Sequence, residues 1–205
     1  MKDPDHSDAP RLAGRYHLIE RLAIGGMAEV FLGSEKGDKA LDRLVVVKRI
    51  LPHLAADPTF VDMFLNEARI AARINHPNVV QIYELGEDNE GMPFIAMEYV
   101  PGSTLKELSK AARSAGTRLP VDAVVLLIMQ ACAGSHAAHE LKDHAGKPYG
   151  LVHRDLSPHN LMVDDSAHVK LLDFGIAKAT EGMDNTRTGM LKGKIAYMSP
   201  EQCLQ

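Results

Sequence analysis

His153-Arg154-Asp155-Leu156-Ser157-Pro158-His159-Asn160, followed thirteen residues after its asparagine by Asp173-Phe174-Gly175, is the stretch on which the reading of this chain turns. Three side chains in it, Asp155, Asn160 and Asp173, offer oxygen atoms that suit a proton acceptor and the ligands of a hard divalent cation. Around them lie short apolar runs at 150–153, 161–163 and 169–172, of strand length and too short for core helices. Polar chemistry is thus set between short buried segments.

Working towards the N-terminus, the spacing predicts a long helix over 121–141 and a shorter one over 105–112. Pro101-Gly102 precedes them, and before it the character changes to strands. Runs at 16–22 and 29–33 flank a Gly25-Gly26 turn, 44–50 is rich in valine, and 79–85 and 94–99 are joined by an acidic, glycine-bearing turn. Asp57-Pro58 opens a helix, with proline suited to its first turn. Phe60, Phe64, Ala71 and Ile74 mark its apolar face, and His76-Pro77-Asn78 is expected to end it. Strands first and helices later predict an α+β chain with a boundary near Pro101.

Lys48 sits in a strand of valines, and Glu67 falls on the apolar side of the helix, seven residues after Phe60. A buried charge is costly unless paired, and pairing Lys48 with Glu67 removes both costs. The alternative is two side chains that snorkel to water. The chain has 205 residues, 45% hydrophobic and 24% charged, with a formal net charge of −4. That balance does not point to nucleic acid or a membrane surface. Cys132, one of two cysteines, falls in an apolar run and is expected to be a buried thiol in a reducing compartment. The first residues lack the apolar core of a signal peptide, and the run 123–129 is too short to span a bilayer.

In order along the chain, these elements resemble a bacterial eukaryotic-like (Hanks-type) serine/threonine protein kinase, from Gly14-Arg15-Tyr16 to Ser199-Pro200-Glu201. The resemblance implies a two-lobe fold. It comprises a mobile tail over 1–13, a small β-rich N-lobe with one main helix over 14–100, and a partial, mainly helical C-lobe over 101–205. It implies ATP and Mg²⁺ as cofactors, protein hydroxyls of serine and threonine as acceptors, and a cytoplasmic location of the catalytic part, with a membrane tether in a longer form as the alternative. Asp155 is then the base, and Asn160 and Asp173 are the Mg²⁺ ligands. Lys48 contacts the α- and β-phosphates and pairs with Glu67. Leu22, Ala23, Ile24, Gly25, Gly26, Met27, Ala28, Glu29 and Val30 match the glycine-rich loop over ATP. Val46 lies before the lysine, and Met97 is the gatekeeper. Glu98 and Val100 hold adenine through backbone groups, and Met162 lies under the ring. Arg154 is expected to receive an activation-loop phosphate, with Thr186 and Thr188 as autophosphorylation sites.

The chain departs from that family at five positions. Ala23 and Ala28 stand where glycines are usual, which limits close approach of backbone to phosphate. Val46 replaces an alanine and narrows the adenine pocket. Ser157 replaces a lysine two residues after the base, and Lys194 replaces a threonine downstream. A reciprocal exchange is one reading, in which Lys194 supplies the ammonium and Ser157 the hydroxyl; two unrelated losses in a weakened enzyme is the other. Family members continue past Ser199-Pro200-Glu201 with several helices, so the helix from Val121 is expected to leave apolar surface uncovered. A truncated or inactive binding module is the alternative function.

Overall fold

The computed structural model describes residues 11–12, 15–36, 42–174 and 195–203. The chain divides into two compact units, Met1–Ala72 with Gln81–Tyr99, and Arg73–Val80 with Val100–Gln205.

The first unit is built on an antiparallel sheet. Its strands are β1 (Arg11–Leu12), β2 (Tyr16–Ile24), β3 (Ala28–Glu35), β4 (Arg43–Ile50), β5 (Ile82–Glu87) and β6 (Pro93–Glu98), in the spatial order β1-β2-β3-β4-β6-β5. Side chains alternate across the sheet. One face gathers Leu12, Tyr16, Leu18, Val45, Val47, Phe94 and Ala96 into a buried core, with the Tyr16 and Phe94 rings edge to face at 5.8 Å. In β4 the valines of that core are the odd-numbered ones, so Val46 and Lys48 take the opposite face. Short helices α1 (Pro52–Ala55) and α2 (Pro58–Ala71) follow β4. Asp57 caps α2 by accepting the Thr59 N–H at 2.9 Å, with Pro58 in its first turn. Phe64, Ala68 and Ala71 are buried on the side that packs on β5 and β6.

A polar cluster ties the start of the sheet to its far strands. The Tyr16 hydroxyl donates to Glu84 at 2.7 Å, and Arg15 donates to the same carboxylate at 2.9 Å. Arg15 also pairs with Glu35, and Arg43 donates to Glu35 through Nε at 3.0 Å. Burial alone would raise the Glu35 carboxyl, yet the Arg43 and Arg15 hydrogen bonds bring it below the ordinary carboxylate range.

The second unit contains a small sheet, β7 (Gly102–Thr104), β8 (Leu161–Asp164) and β9 (Val169–Leu171), and helices α3 (Leu105–Ser114), α4 (Val121–His139) and α5 (Pro200–Cys203). A Cβ on Gly102 would stand 2.0 Å from the Val163 carbonyl oxygen, so only glycine admits the β7–β8 pairing here. Thr104 and Glu107 form a reciprocal capping box at the start of α3.

Asn78, buried, anchors the segment after α2. Its amide donates to the Val169 carbonyl at 2.8 Å and to the Gln130 side chain at 3.2 Å. Gln130 in turn accepts the Val169 N–H at 3.0 Å and donates to the Ala167 carbonyl at 3.0 Å. The Leu171 N–H donates to the Asn78 carbonyl, and the Val80 N–H to the Leu171 carbonyl.

Three expectations change. The helix from Asp57-Pro58 ends at Ala71, before His76-Pro77-Asn78. Val79 and Val80 leave the first sheet and join β9 instead, because the Asn78 anchor commits them to the second unit. Cys132 is exposed, not buried. It lies on the outer face of α4, where Val125, Leu126 and Met129 are 50%, 60% and 61% exposed. A groove of about 410 Å³ lined by Val124, Val125, Ile128, Met129 and Cys132 runs along that face. This is the uncovered surface expected of the helix.

Val121–His139 is also long and apolar enough to cross a membrane by length and composition alone, with a mean hydropathy of 1.5. The run 123–129 understates this because alanine, glycine and cysteine extend it. Its inner face is committed to protein, through Gln130 and through Gly134 against Asn78 and Leu171.

Gly134→Ala tests that packing. Alanine is the better helix former by about 1 kcal/mol. A Cβ at this position, however, would lie 2.7 Å from the Asn78 carbonyl oxygen and 2.8 Å from Leu171 Cδ1. Overpacking of this kind costs about 1–3 kcal/mol, so the variant is expected to lose stability in urea denaturation. A gain in midpoint would show that the contact gives way freely.

Candidate active site

In the first unit, β4 carries Lys48 between Val30 on β3 and Ile95 on β6, and Val46 between Leu32 and Met97. Directly paired residues share a face, so Val30, Val46, Lys48 and Met97 stand on one side of the sheet. Glu67 lies in α2, and its side chain is outside the described residues.

The turn between β2 and β3 is closed by the Gly25 N–H donating to the Ala28 carbonyl at 2.8 Å. A Cβ on Gly26 would meet nothing within 4 Å. Internal crowding therefore does not require glycine there. Leu22, Ala23, Ile24, Gly25 and Gly26 are exposed, and Met27 is half-buried. Ala28 is buried, so its methyl packs inward. The Glu29 carboxylate is taken by Arg21 and Arg49, each at 3.2 Å. At the end of β6 the Glu98 N–H donates to the Gln81 carbonyl at 2.9 Å, and its carboxylate accepts the Gln81 N–H at 3.1 Å. Val100, counted with the second unit, is buried.

In the second unit the quoted stretch folds back on itself. Asn160 donates through its amide to the Asp155 carbonyl at 2.9 Å and to the Asp155 carboxylate at 3.0 Å. Its Oδ1 is thereby turned away as an acceptor. The Leu172 N–H donates to the Asn160 carbonyl at 2.9 Å, which brings the end of β9, and Asp173 after it, to the loop. Asp155, Asn160 and Asp173 are therefore joined through one asparagine. Their oxygen donors fit a hard divalent cation such as Mg²⁺. Met162 is half-buried on β8, between Thr104 and Lys170 in register.

Arg154 and Asp173 both have left-handed backbones, with φ of 57° and 48°. Such strain in non-glycine residues gathers at functional sites. His153 holds the two together from beneath. Its Nε2 donates to the Leu172 carbonyl at 2.9 Å, and its ring packs 4.8 Å from that of Phe174, which is buried. Ser157 is only 4% exposed, and its hydroxyl has no hydrogen-bond partner among the described residues. Lys194, Thr186 and Thr188 lie outside the described residues.

Sequence reasoning missed the packing roles of His153 and Phe174 and the anchor formed by Asn78 and Gln130. A glutamine inside an apolar helical run, and an asparagine after His-Pro, were the available signals.

Burial holds the His153 imidazole below its usual pKa, its Nδ1 buried with no hydrogen-bond partner among the described residues. The unfolded chain takes up that proton below about pH 6.5, whereas the folded chain resists it. His153 therefore contributes stability in full above about pH 6.5, and that contribution falls as the pH drops below this value towards the lowered folded pKa. The midpoint of thermal unfolding is expected to fall between pH 7.5 and 5 more steeply for the natural chain than for His153→Phe. Parallel curves would remove the assignment.

The protein kinase domain model matches residues 16–204. A tyrosine-protein kinase of Myxococcus xanthus, MasK, is 49% identical over 192 residues, covering 92% of this chain and 29% of the relative. The serine/threonine-protein kinase PrkC of Bacillus subtilis is 38% identical over 192 residues, covering 94% of this chain and 27% of PrkC. The chain thus spans less than a third of either relative. Among solved structures, the Mycobacterium tuberculosis PknI kinase domain is similar with a TM-score of 0.63 at 30% identity, over 82% of this chain and 62% of that one. The chain belongs to the protein kinase family, alongside bacterial eukaryotic-like (Hanks-type) members, with a β-sheet N-lobe and a partial helical C-lobe.

Proposed function

We propose that this chain is the catalytic part of an ATP- and Mg²⁺-dependent serine/threonine protein kinase, acting in the cytoplasm where ATP is. The tail is assigned to 1–13, the N-lobe to 14–100 and the C-lobe part to 101–205. The observation that carries the reading is the Asn160 amide bound to Asp155, with Asp173 tied to the same residue through Leu172.

Asp155 accepts the proton of the protein hydroxyl as its oxygen attacks the γ-phosphorus. The bond from that phosphorus to the β–γ bridging oxygen breaks, and ADP leaves. Bound Mg²⁺ supplies charge neutralisation on the phosphate oxygens, and Asn160 Oδ1 and the Asp173 carboxylate are the groups that hold it. Lys48 steadies the α- and β-phosphates and pairs with Glu67. Leu22, Ala23, Ile24, Gly25, Gly26, Met27, Ala28, Glu29 and Val30 cover the nucleotide. Val46, Met97 and Met162 contact adenine, and the backbones of Glu98 and Val100 hydrogen-bond to it. Of the loop residues, Ala28 and Glu29 act through the backbone, since the methyl of one is buried and the carboxylate of the other is engaged by arginines. Thr186 and Thr188 accept phosphate by autophosphorylation, with Arg154 as part of their receptor.

Incubation with Mg-ATP and a generic protein substrate tests this. Phosphate transfer is expected, lost by at least about a thousandfold in Asp155→Asn, with autophosphate on Thr186 and Thr188. Nucleotide binding without turnover would favour the binding-module reading. A second acceptor is favoured by one observation, the 49% identity to a relative named a tyrosine-protein kinase. Phosphoamino-acid analysis of the same products separates the two, and phosphotyrosine alone would overturn the serine/threonine assignment.

Ser157 and Lys194 exchange roles in this reading, the lysine supplying the ammonium and the serine the hydroxyl. Ser157 is buried, and its hydroxyl, which has no hydrogen-bond partner among the described residues, keeps a lone pair for an ammonium group. Lys194→Ala is expected to lower kcat by about tenfold or more. Unchanged phosphotransfer would mean that the two departures are unrelated.

A further inference from the structure

We infer that Gln202 is a positioning residue for the catalytic loop, a role resting on the function proposed above. The Asp155 N–H donates to the His153 carbonyl at 2.7 Å, closing a three-residue turn around Arg154 at φ 57°. Tight turns of this hand are strained and persist only where the surroundings hold them. Forming that turn leaves the Arg154 carbonyl pointing out of the loop. Gln202, 48 residues away on α5, donates to it through Nε2 at 2.7 Å.

The orientation of the Gln202 amide is fixed by its other end. Its Oε1 accepts the Ser199 N–H at 3.2 Å and faces the Ser199 hydroxyl at 3.5 Å, so the NH₂ group is the one turned towards Arg154. Ser199 in turn is held by α5, its carbonyl accepting the Gln202 N–H at 3.0 Å and the Cys203 N–H at 3.2 Å. The amide is thus a bridge between the Ser199-Pro200 turn and the 154–155 peptide that leads into Asp155. Gln202 touches no reacting atom. It acts by holding the plane of the 154–155 peptide, and so the direction in which the Asp155 carboxylate leaves the chain.

Gln202→Glu separates this role from general support of α5. The glutamate keeps the acceptor for Ser199 and replaces the donor by an oxygen facing the Arg154 carbonyl. At pH 7.5, kcat is expected to fall about tenfold, with KM for ATP within about twofold of the natural value. The ratio of variant to natural kcat is expected to recover between pH 7.5 and 5, as the new carboxyl takes up a proton and regains a donor. Taking the ratio removes the titration of Asp155 and Glu201, which both chains share. Gln202→Ala is expected to lose as much without recovery.

Amide exchange of the peptide 153–157, measured without nucleotide, is expected to quicken at least about threefold in both variants. Unchanged exchange and unchanged kcat would overturn the inference. Faster exchange in a chain that transfers no phosphate would uphold the role of Gln202 while removing the function it was thought to serve.

Discussion

One asparagine amide carries the second unit's chemistry. Asn160 spends both its N–H groups on Asp155, one on the backbone and one on the carboxylate, and its carbonyl receives the Leu172 N–H. Hydrogen bonds to a charged acceptor are stronger than neutral ones; the two made by the side-chain amide fix its rotamer, and the one to its backbone carbonyl fixes the main chain. The acceptor Oδ1 is then aimed by exclusion. A glutamine would reach too far, and an aspartate would repel Asp155. The residue type at this position follows from geometry before any cation is considered.

Behind that asparagine stands a second tier of amides. Asn78 and Gln130 satisfy the backbone of β9 at Val169, Gln130 also binds the exposed turn before it at Ala167, and the Asn78 backbone pairs with Leu171. Left unpaired, each buried polar group would cost about 1–3 kcal/mol. Satisfied, they set the register of β9, and two residues beyond its end comes Asp173. α4 is therefore held on its inner face by the buried seam of Leu127, Ala131, Gly134 and Ala138 together with the polar contacts of Gln130. That explains how the helix can be so apolar outside and still be seated.

Much of this was legible in the sequence, and the limits have physical causes. The strands around Gly25-Gly26, the valine strand with Lys48, the Asp57-Pro58 helix start and the long helix from Val121 all follow from local periodicity and capping. The motif residues Asp155, Asn160 and Asp173 were legible because their spacing in a loop–strand–strand unit is short. Val79 and Val80 were misplaced because strand propensity does not say which sheet receives the strand; the Asn78 hydrogen bonds do. Cys132 was misread for a related reason. An apolar run reports what a helix could bury, while its actual burial depends on what lies against each face.

The left-handed backbones at Arg154 and Asp173 show how the loop is built to resist relaxation. Either residue could recover the cost of its φ, of order 1–3 kcal/mol, by rotating its neighbouring peptide. At Asp173 that rotation would disturb the His153–Leu172 and Leu172–Asn160 hydrogen bonds and draw Phe174 from its buried site against the His153 ring. At Arg154 it would open the Asp155 to His153 turn and release Gln202. Each relaxation would give up at least two hydrogen bonds, of about 0.5–1.5 kcal/mol each, and at Asp173 the burial of a phenylalanine worth about 1.5–3 kcal/mol. At both residues these losses oppose the relaxation, and at Asp173 the burial of Phe174 adds to them.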